Sequence, residues 1–294
     1  MKVTPLEGAQ PRARRVAVGT FDGVHLGHRE VIRGNDTVLT FDPHPLAVVK
    51  PDALPKLISS HELKRDLIAG LGVEELVVIP FDEEFSRKSA DQFIDEVLVE
   101  RLQATHVSVG ENFTFGQKAK GTPQLLSTRT EFETRVVPLV EVNGETVSSS
   151  HIRGLVAAGE VKEAADFLGG PFLFQGEVVH GDKRGRELGF PTANIVPSDK
   201  LVVPGHGVYA AWAHGHPAAV NVGVRPTFKT GRGLLIEPFL LDFDGDLYGQ
   251  QLRVAFVERL RGEKRFESVD DLVAQMELDV QRAREICSAT VFRR

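Results

Sequence analysis

The chain has 294 residues, 41% of them hydrophobic and 26% charged, a composition ordinary for a globular protein; at ~150 residues per domain, two domains are expected. No stretch approaches the ~18 uncharged apolar residues of a membrane helix, the run after Arg12, Arg14 and Arg15 is broken by Gly19 and Asp22, unlike a secretory leader, and a formal charge of −6 argues against a nucleic-acid partner. The one cysteine, Cys287, leaves no internal disulfide or thiolate metal cage, which fits a reducing, cytoplasmic setting.

From Arg15 to Leu139, short apolar runs alternate with helical patterns, as in a parallel sheet with crossover helices. The predicted strands are Val16–Thr20, Thr37–Phe41, Leu76–Pro80, Val107–Gly110 and Arg135–Leu139. Ser59 with Glu62 and Ser89 with Gln92 read as capping boxes opening helices over Glu62–Leu71 and Asp91–Leu102. Leu63, Leu67, Leu71, Phe93 and Val97 supply their buried stripes. This half is expected to be a doubly wound α/β domain, with ligands beyond the carboxyl ends of its strands.

Asn143-Gly144 marks a turn. Two short helical patterns, Ile152–Ala158 and Val161–Phe167, lead to Gly169-Gly170-Pro171, a break that divides domains at 1–168 and 169–294. Beyond it, runs at Phe172–Val179, Val208–Ala213, Ala218–Val222, Leu234–Phe243 and Leu252–Glu258 follow one another without a helix-length pattern. That predicts a mainly antiparallel β-barrel. Helix returns only at Val269–Ile286, making a C-terminal helix.

The segment GTFDGVHLGH, Gly19 to His28, leaves the first predicted strand and enters a helix. Glycines let the backbone approach a ligand closely, and N–H groups at a helix start attract phosphate. His25 and His28 then offer hydrogen bonds to a phosphate whose charge grows during attack. Taken alone, His-x-Gly-His reads more often as a tight turn with surface histidines.

Together with TFDPHP, Thr40 to Pro45, and SSSHIR, Ser148 to Arg153, this segment resembles the HxGH nucleotidyltransferases, and specifically the bacterial bifunctional riboflavin kinase/FAD synthetases. The resemblance implies a nucleotidyltransferase-like fold and adenylylation without a covalent enzyme intermediate. It implies an ATP site from Gly19, Phe21, Asp22, Gly23, His25, Gly27 and His28, with Ser149, Ser150 and Arg153 on the departing pyrophosphate. GENFTFG, Gly110 to Gly116, resembles the family stretch beside the flavin and adenine. There Asn112 suits a heterocycle edge, and Phe113 stands between flavin contact and core packing. Only sixteen residues separate Thr20 from Thr37, a shorter crossover than the family's first helix usually needs. An alternative reading is therefore a riboflavin kinase whose N-terminal domain is weakened.

GEVVHGDKRGRELGFPTANI, Gly176 to Ile195, resembles the riboflavin kinase signature over nearly its whole length. Gly181, Gly185 and Gly189 would let a loop fold over a nucleotide, with Lys183, Arg186 and Pro191 at the ATP. Thr192 and Asn194, two apart on an extended segment, offer hard neutral oxygens for Mg²⁺ on ATP phosphates. VNVGVRPTF, Val220 to Phe228, and IEPFLLDFDGDLYG, Ile236 to Gly249, resemble the next family blocks. In them Glu237 matches the general base for the flavin hydroxyl, while Asp242, Asp244 and Asp246 read as a charged turn. LRGEKRFESVDDL, Leu260 to Leu272, places Arg261 and Phe266 toward the isoalloxazine.

The expected function is riboflavin phosphorylation to FMN and AMP transfer from ATP to FMN, giving FAD and pyrophosphate. Riboflavin, FMN, FAD and ATP are its expected partners, with Mg²⁺ as cofactor, and no sequence feature fixes an oligomeric state. A flavin-binding regulator without turnover is the reading from another class.

Overall fold

The computed structural model describes residues 1–181, 190–224 and 233–290. They form two compact units: Met1–Pro55 with His61–Ser149, and Lys56–Ser60 with Ser150–Arg294.

The first unit is a six-stranded parallel sheet. Along the chain come β1 (Lys2–Pro5), β2 (Arg14–Val18), α1 (Leu26–Ile32), β3 (Thr37–Asp42), α2 (Pro45–Val49), α3 (His61–Ala69) and β4 (Glu75–Pro80). After them come α4 (Glu83–Ser86), α5 (Ala90–Gln92), β5 (Ala104–Gly110), α6 (Pro123–Ser127) and β6 (Glu133–Val137). A small hairpin, β7 (Glu141–Val142) and β8 (Glu145–Thr146), turns on Asn143 and Gly144, both at positive φ. The strand order is β1-β4-β3-β2-β5-β6.

Strand alternation explains why helices cover both faces. Val16, Val18, Leu39, Val77, Val107 and Val109 point into one core cluster, and Ala17, Val38 and Leu76 into another with Ile32 and Ile68. The chain leaves β2 toward β3 and later returns to the other side of β2 as β5. The carboxyl ends of β2 and β5 thus flank the point where the strand order reverses, where ligands of such sheets bind.

Two local features were not expected. β1 extends the sheet by pairing with β4, and Glu75 on β4 binds Thr4 Oγ1 at 2.9 Å and the buried Arg14 at 3.1 Å. The capping box of Ser89 and Gln92 forms as predicted, but from Phe93 to Arg101 the helix is π-wound. Phe93, Ile94, Val97, Leu98 and Leu102 are all buried, and a wider turn gathers residues four and five apart onto one face.

The second unit opens with α7 (Ser149–Ala158) and α8 (Val161–Leu168); α7 thus begins with the last residue of the first unit. Six antiparallel strands follow: β9 (Phe172–Val179), β10 (Asn194–Ile195), β11 (Gly207–Ala213), β12 (His216–Val224), β13 (Leu234–Leu240) and β14 (Gln251–Arg261). They close into a barrel in the order β10-β13-β12-β11-β14-β9. Phe172, Phe174, Val178, Ile195, Ile236, Val222, Val220 and Tyr209 are buried and share one face through the pairing registers, filling the barrel. Gly176 leaves room for Ile195, whose Cγ2 would lie 2.5 Å from a Cβ there.

α9 (Val269–Ala289) packs on the other face, against Ala210 and Ala219 through Ala283 and Cys287. Burial raises the pKa of the Cys287 thiol, which donates to Ala211 O at 3.3 Å. Among the described residues no helix is long and apolar enough to cross a membrane.

Candidate active sites

The loop after β2 carries GTFDGVH in a buried, strained form. Phe21 (φ 53°), Gly23 (φ 81°) and Val24 (φ 43°) all take left-handed conformations, which a β-branched residue adopts only where its surroundings enforce it. The side chains of Phe21 and Val24 belong to the core, so the Phe21 ring is buried inside the unit and only its backbone borders the loop surface. A Cβ on Gly19 would lie 3.0 Å from that ring.

His25 caps α1, its Nδ1 accepting the His28 backbone N–H at 3.3 Å. An accepting Nδ1 puts the ring proton on Nε2. The two imidazoles stack with centroids 3.5 Å apart, and Phe21 meets His28 edge-on at 5.4 Å. A Cβ on Gly27 would crowd the His25 ring at 3.3 Å, so glycine keeps the stack in place. His28 Nδ1 is buried without a hydrogen-bond partner. Burial, then the charges of His25 and Lys64, push the His28 pKa well below 6.5. His28 is therefore a neutral imidazole at pH 7.

With seven residues, α1 has too few aligned peptides for its start to bind an anion unaided. Lys64 on α3, which the motif reading missed, supplies a cation instead. Its Nζ donates to Thr20 O at 3.2 Å, the carbonyl that also accepts from Thr40 Oγ1. Burial lowers its pKa, and the charges of Asp22 and Asp42 resist that shift.

Ser149 Oγ donates to Asp22 O at 3.1 Å, joining the start of SSSHIR to the GTFDG loop. Arg153 Nη1 donates to Ser150 Oγ at 3.3 Å, and both residues group with the second unit. The loop after β5 carries GENFTFG. Asn112 is exposed, and Phe113 is half-buried on the core, stacked 5.6 Å from the buried Phe115. Gly116 has φ 70°, and a Cβ there would lie 2.6 Å from Ala90 N.

In the barrel, the register that sets Ile195 opposite Ile236 sets Asn194 opposite Glu237, which in turn faces Asn221. Three polar side chains therefore form a row across β10, β13 and β12. Asn194 and Glu237 are 4% and 6% exposed, a costly placement for an amide and a carboxylate unless each has a use. Asn194 Nδ2 donates to Thr192 O at 3.3 Å, while its Oδ1 is buried without a partner. That orphaned neutral oxygen fits a hard cation such as Mg²⁺. Gly181 packs directly on the amide, since a Cβ there would lie 2.6 Å from Asn194 Nδ2.

Lys183, Gly185, Arg186 and Gly189, together with Arg225 to Phe228, lie outside the described residues, while Pro191 is exposed beside Thr192. Arg261 is bound to the buried Asp279, with Nη2 2.7 Å from Oδ2, and lies 5.8 Å from the Phe266 ring. Its guanidinium is committed to holding α9, with Nε and Nη2 on Asp279 and Nη1 on Gly262 O. Of the acidic turn, Asp242 pairs with Arg284 at 2.6 Å instead of being merely solvated.

Family profiles match in two places: FAD synthetase over residues 8–151 and riboflavin kinase over residues 168–287. The chain is 37% identical to the bifunctional riboflavin kinase/FMN adenylyltransferase of Listeria monocytogenes, covering 92% of this chain and 91% of that one. The Bacillus subtilis protein of the same name is 38% identical, covering 91% and 90%, and that of Escherichia coli K12 35%, covering 94% and 93%. A crystal structure described as a macrolide-efflux protein from Streptococcus pneumoniae superposes with a TM-score of 0.86 at 31% identity, covering 97% of this chain and 99% of that one.

Proposed function

The chain belongs to the bifunctional riboflavin kinase/FMN adenylyltransferase family, and from that premise we propose how its residues divide two ATP-dependent steps. Riboflavin is phosphorylated to FMN, and FMN is adenylylated to FAD. We assign the kinase to residues 169–294 and adenylyl transfer to 1–168, a division supported by the two profile matches. The observation that carries the reading is a buried polar constellation in each unit, each suited to a different phosphate chemistry.

In the kinase step Glu237 takes the proton of riboflavin's terminal hydroxyl as that oxygen attacks the γ-phosphorus of ATP and ADP leaves. Phosphoryl transfer has a loose transition state, so a carboxylate need only orient and deprotonate the alcohol. Asn194 Oδ1 and the Thr192 hydroxyl would hold Mg²⁺, which supplies charge neutralisation on crowded phosphates when bound. Gly181 keeps space above the Asn194 amide.

In the adenylyl step an FMN phosphate oxygen attacks the α-phosphorus of ATP and pyrophosphate departs. His25 Nε2–H and neutral His28 donate hydrogen bonds to the α-phosphate without adding charge of their own. Lys64 supplies the positive charge of that cluster. Ser149, Ser150 and Arg153 receive the pyrophosphate, and Asn112 and Phe113 border the flavin. The cytoplasm is the proposed location, supported by a lone free thiol.

The test is chromatography of products after incubating the purified chain with riboflavin, ATP and Mg²⁺, then with FMN in place of riboflavin. FMN and FAD are expected in the first case and FAD in the second. FMN without FAD would overturn the adenylyl half.

A further inference from the structure

We propose that Asn221 is a positioning residue for the phosphoryl-transfer step, its amide fixing the orientation of the Glu237 carboxylate that takes the proton of the flavin's hydroxyl. The proposal rests on the reading of Glu237 as the base of the kinase half.

Asn221 and Glu237 are directly opposite on β12 and β13, and Asn221 Nδ2 donates to Glu237 Oε2 at 3.1 Å. Opposed residues in a sheet have Cβ atoms about 5 Å apart on one face, so a barrel wall sets the geometry of this contact. The two flanking amides differ in use. Asn194 turns its donor away to Thr192 O, whereas Asn221 turns its donor onto the carboxylate.

Burial divides the pair unevenly. Glu237 is buried, yet Asn221 is exposed, so the fold gains no core packing from it, and an unrestrained asparagine on a surface strand would be solvated. Its amide instead reaches onto a buried anion, which suits orientation of a base better than support of the barrel. Val220 and Val222, its chain neighbours, fill the opposite face, so replacing Asn221 leaves the interior intact. Glu263, whose Oε1 would lie 2.9 Å from a Cβ on Gly223, and His206, paired with Glu263 at 3.7 Å, are titratable groups described along the same face.

The test compares Asn221→Leu, Asn221→Asp and Glu237→Gln in the full chain. Each is assayed for the kcat and KM of riboflavin phosphorylation and for FAD formation from FMN. Loss of one hydrogen bond to a charged group corresponds to a roughly 10- to 100-fold fall in kcat. Such a fall is expected in both Asn221 variants, with the KM for ATP within about twofold of wild type. FAD formation from FMN should be unchanged, which controls for folding. Asn221→Asp keeps the shape and removes the donor, so a wild-type kcat for riboflavin phosphorylation in that variant would overturn the proposal. Full FMN formation by Glu237→Gln would overturn the underlying base assignment instead.

Discussion

His28 lies face to face with His25 and edge-on to Phe21, and burial holds its pKa well below 6.5. Because the folded value is lowered, the neutral ring persists through pH 7 and protonates only in more acid solution. FAD formation is therefore expected to show no His28-dependent loss near pH 6.5. Lys64→Met, which removes one charge that lowers that pKa, should move the acid limb upward. His28→Ala should cut FAD formation by about 10²-fold or more while FMN formation survives, read from the two product assays. A matching loss of both would sink the assignment. Glycines 23 and 27 and both histidines were legible because the motif is contiguous. Lys64 was not, since it lies thirty-six residues beyond His28 and meets the loop only through the fold. Nor was the role of Asn221 legible, because its partner is set by strand register.

At the scale of elements, runs of β-branched residues marked the central strands to within a few residues, and period-2 alternation on both faces explains their burial. The missed strands are the short ones. β1 has four residues and β10 two, too few for a pattern, and both exist because longer strands beside them leave hydrogen bonds to fill. The π-wound segment was read as an ordinary helix because its apolar content fits either winding. The shortened crossover between β2 and β3 closes with one seven-residue helix, since the two strands are adjacent. Turn glycines carry a sharper expectation. Gly116→Ala would combine a left-handed φ with a Cβ 2.6 Å from Ala90 N, costing about 1–3 kcal/mol or more. Chemical denaturation should report it as a lowered midpoint, and FAD formation should fall before FMN formation does. An unchanged midpoint would refute the strain argument.

Across the whole molecule, two cores imply two stabilities that can be disturbed separately. Glu75 is the clearest lever in the first unit. Burial alone would raise its pKa, but hydrogen bonds from Thr4 and Arg14 and the charges of Arg14 and Arg12 hold it below the usual 4.5. A depressed folded value means that its stabilisation is present above pH 4.5 and disappears as pH falls through that lowered value. Glu75→Gln strands the buried Arg14 charge and should cost about 3–5 kcal/mol. After graded heating, that variant should lose FAD formation at a lower temperature than wild type, while FMN formation endures. Equal loss of both would show that the units do not fail separately. The barrel and the parallel sheet were both legible from the alternation of runs, whereas the break between the compact units inside SSSHIR was not. No local turn signal marks it, and α7 runs through Ser149 and Ser150 without interruption.

Cys287 has a practical consequence for following such behaviour. Its thiol is 1% exposed, hydrogen-bonded and shifted toward the protonated form, so it reacts poorly with maleimides. The natural chain is thus already a quiet background for labelling. A single cysteine introduced at an exposed position in either unit would be the one that takes up a fluorophore, with no native residue to remove first.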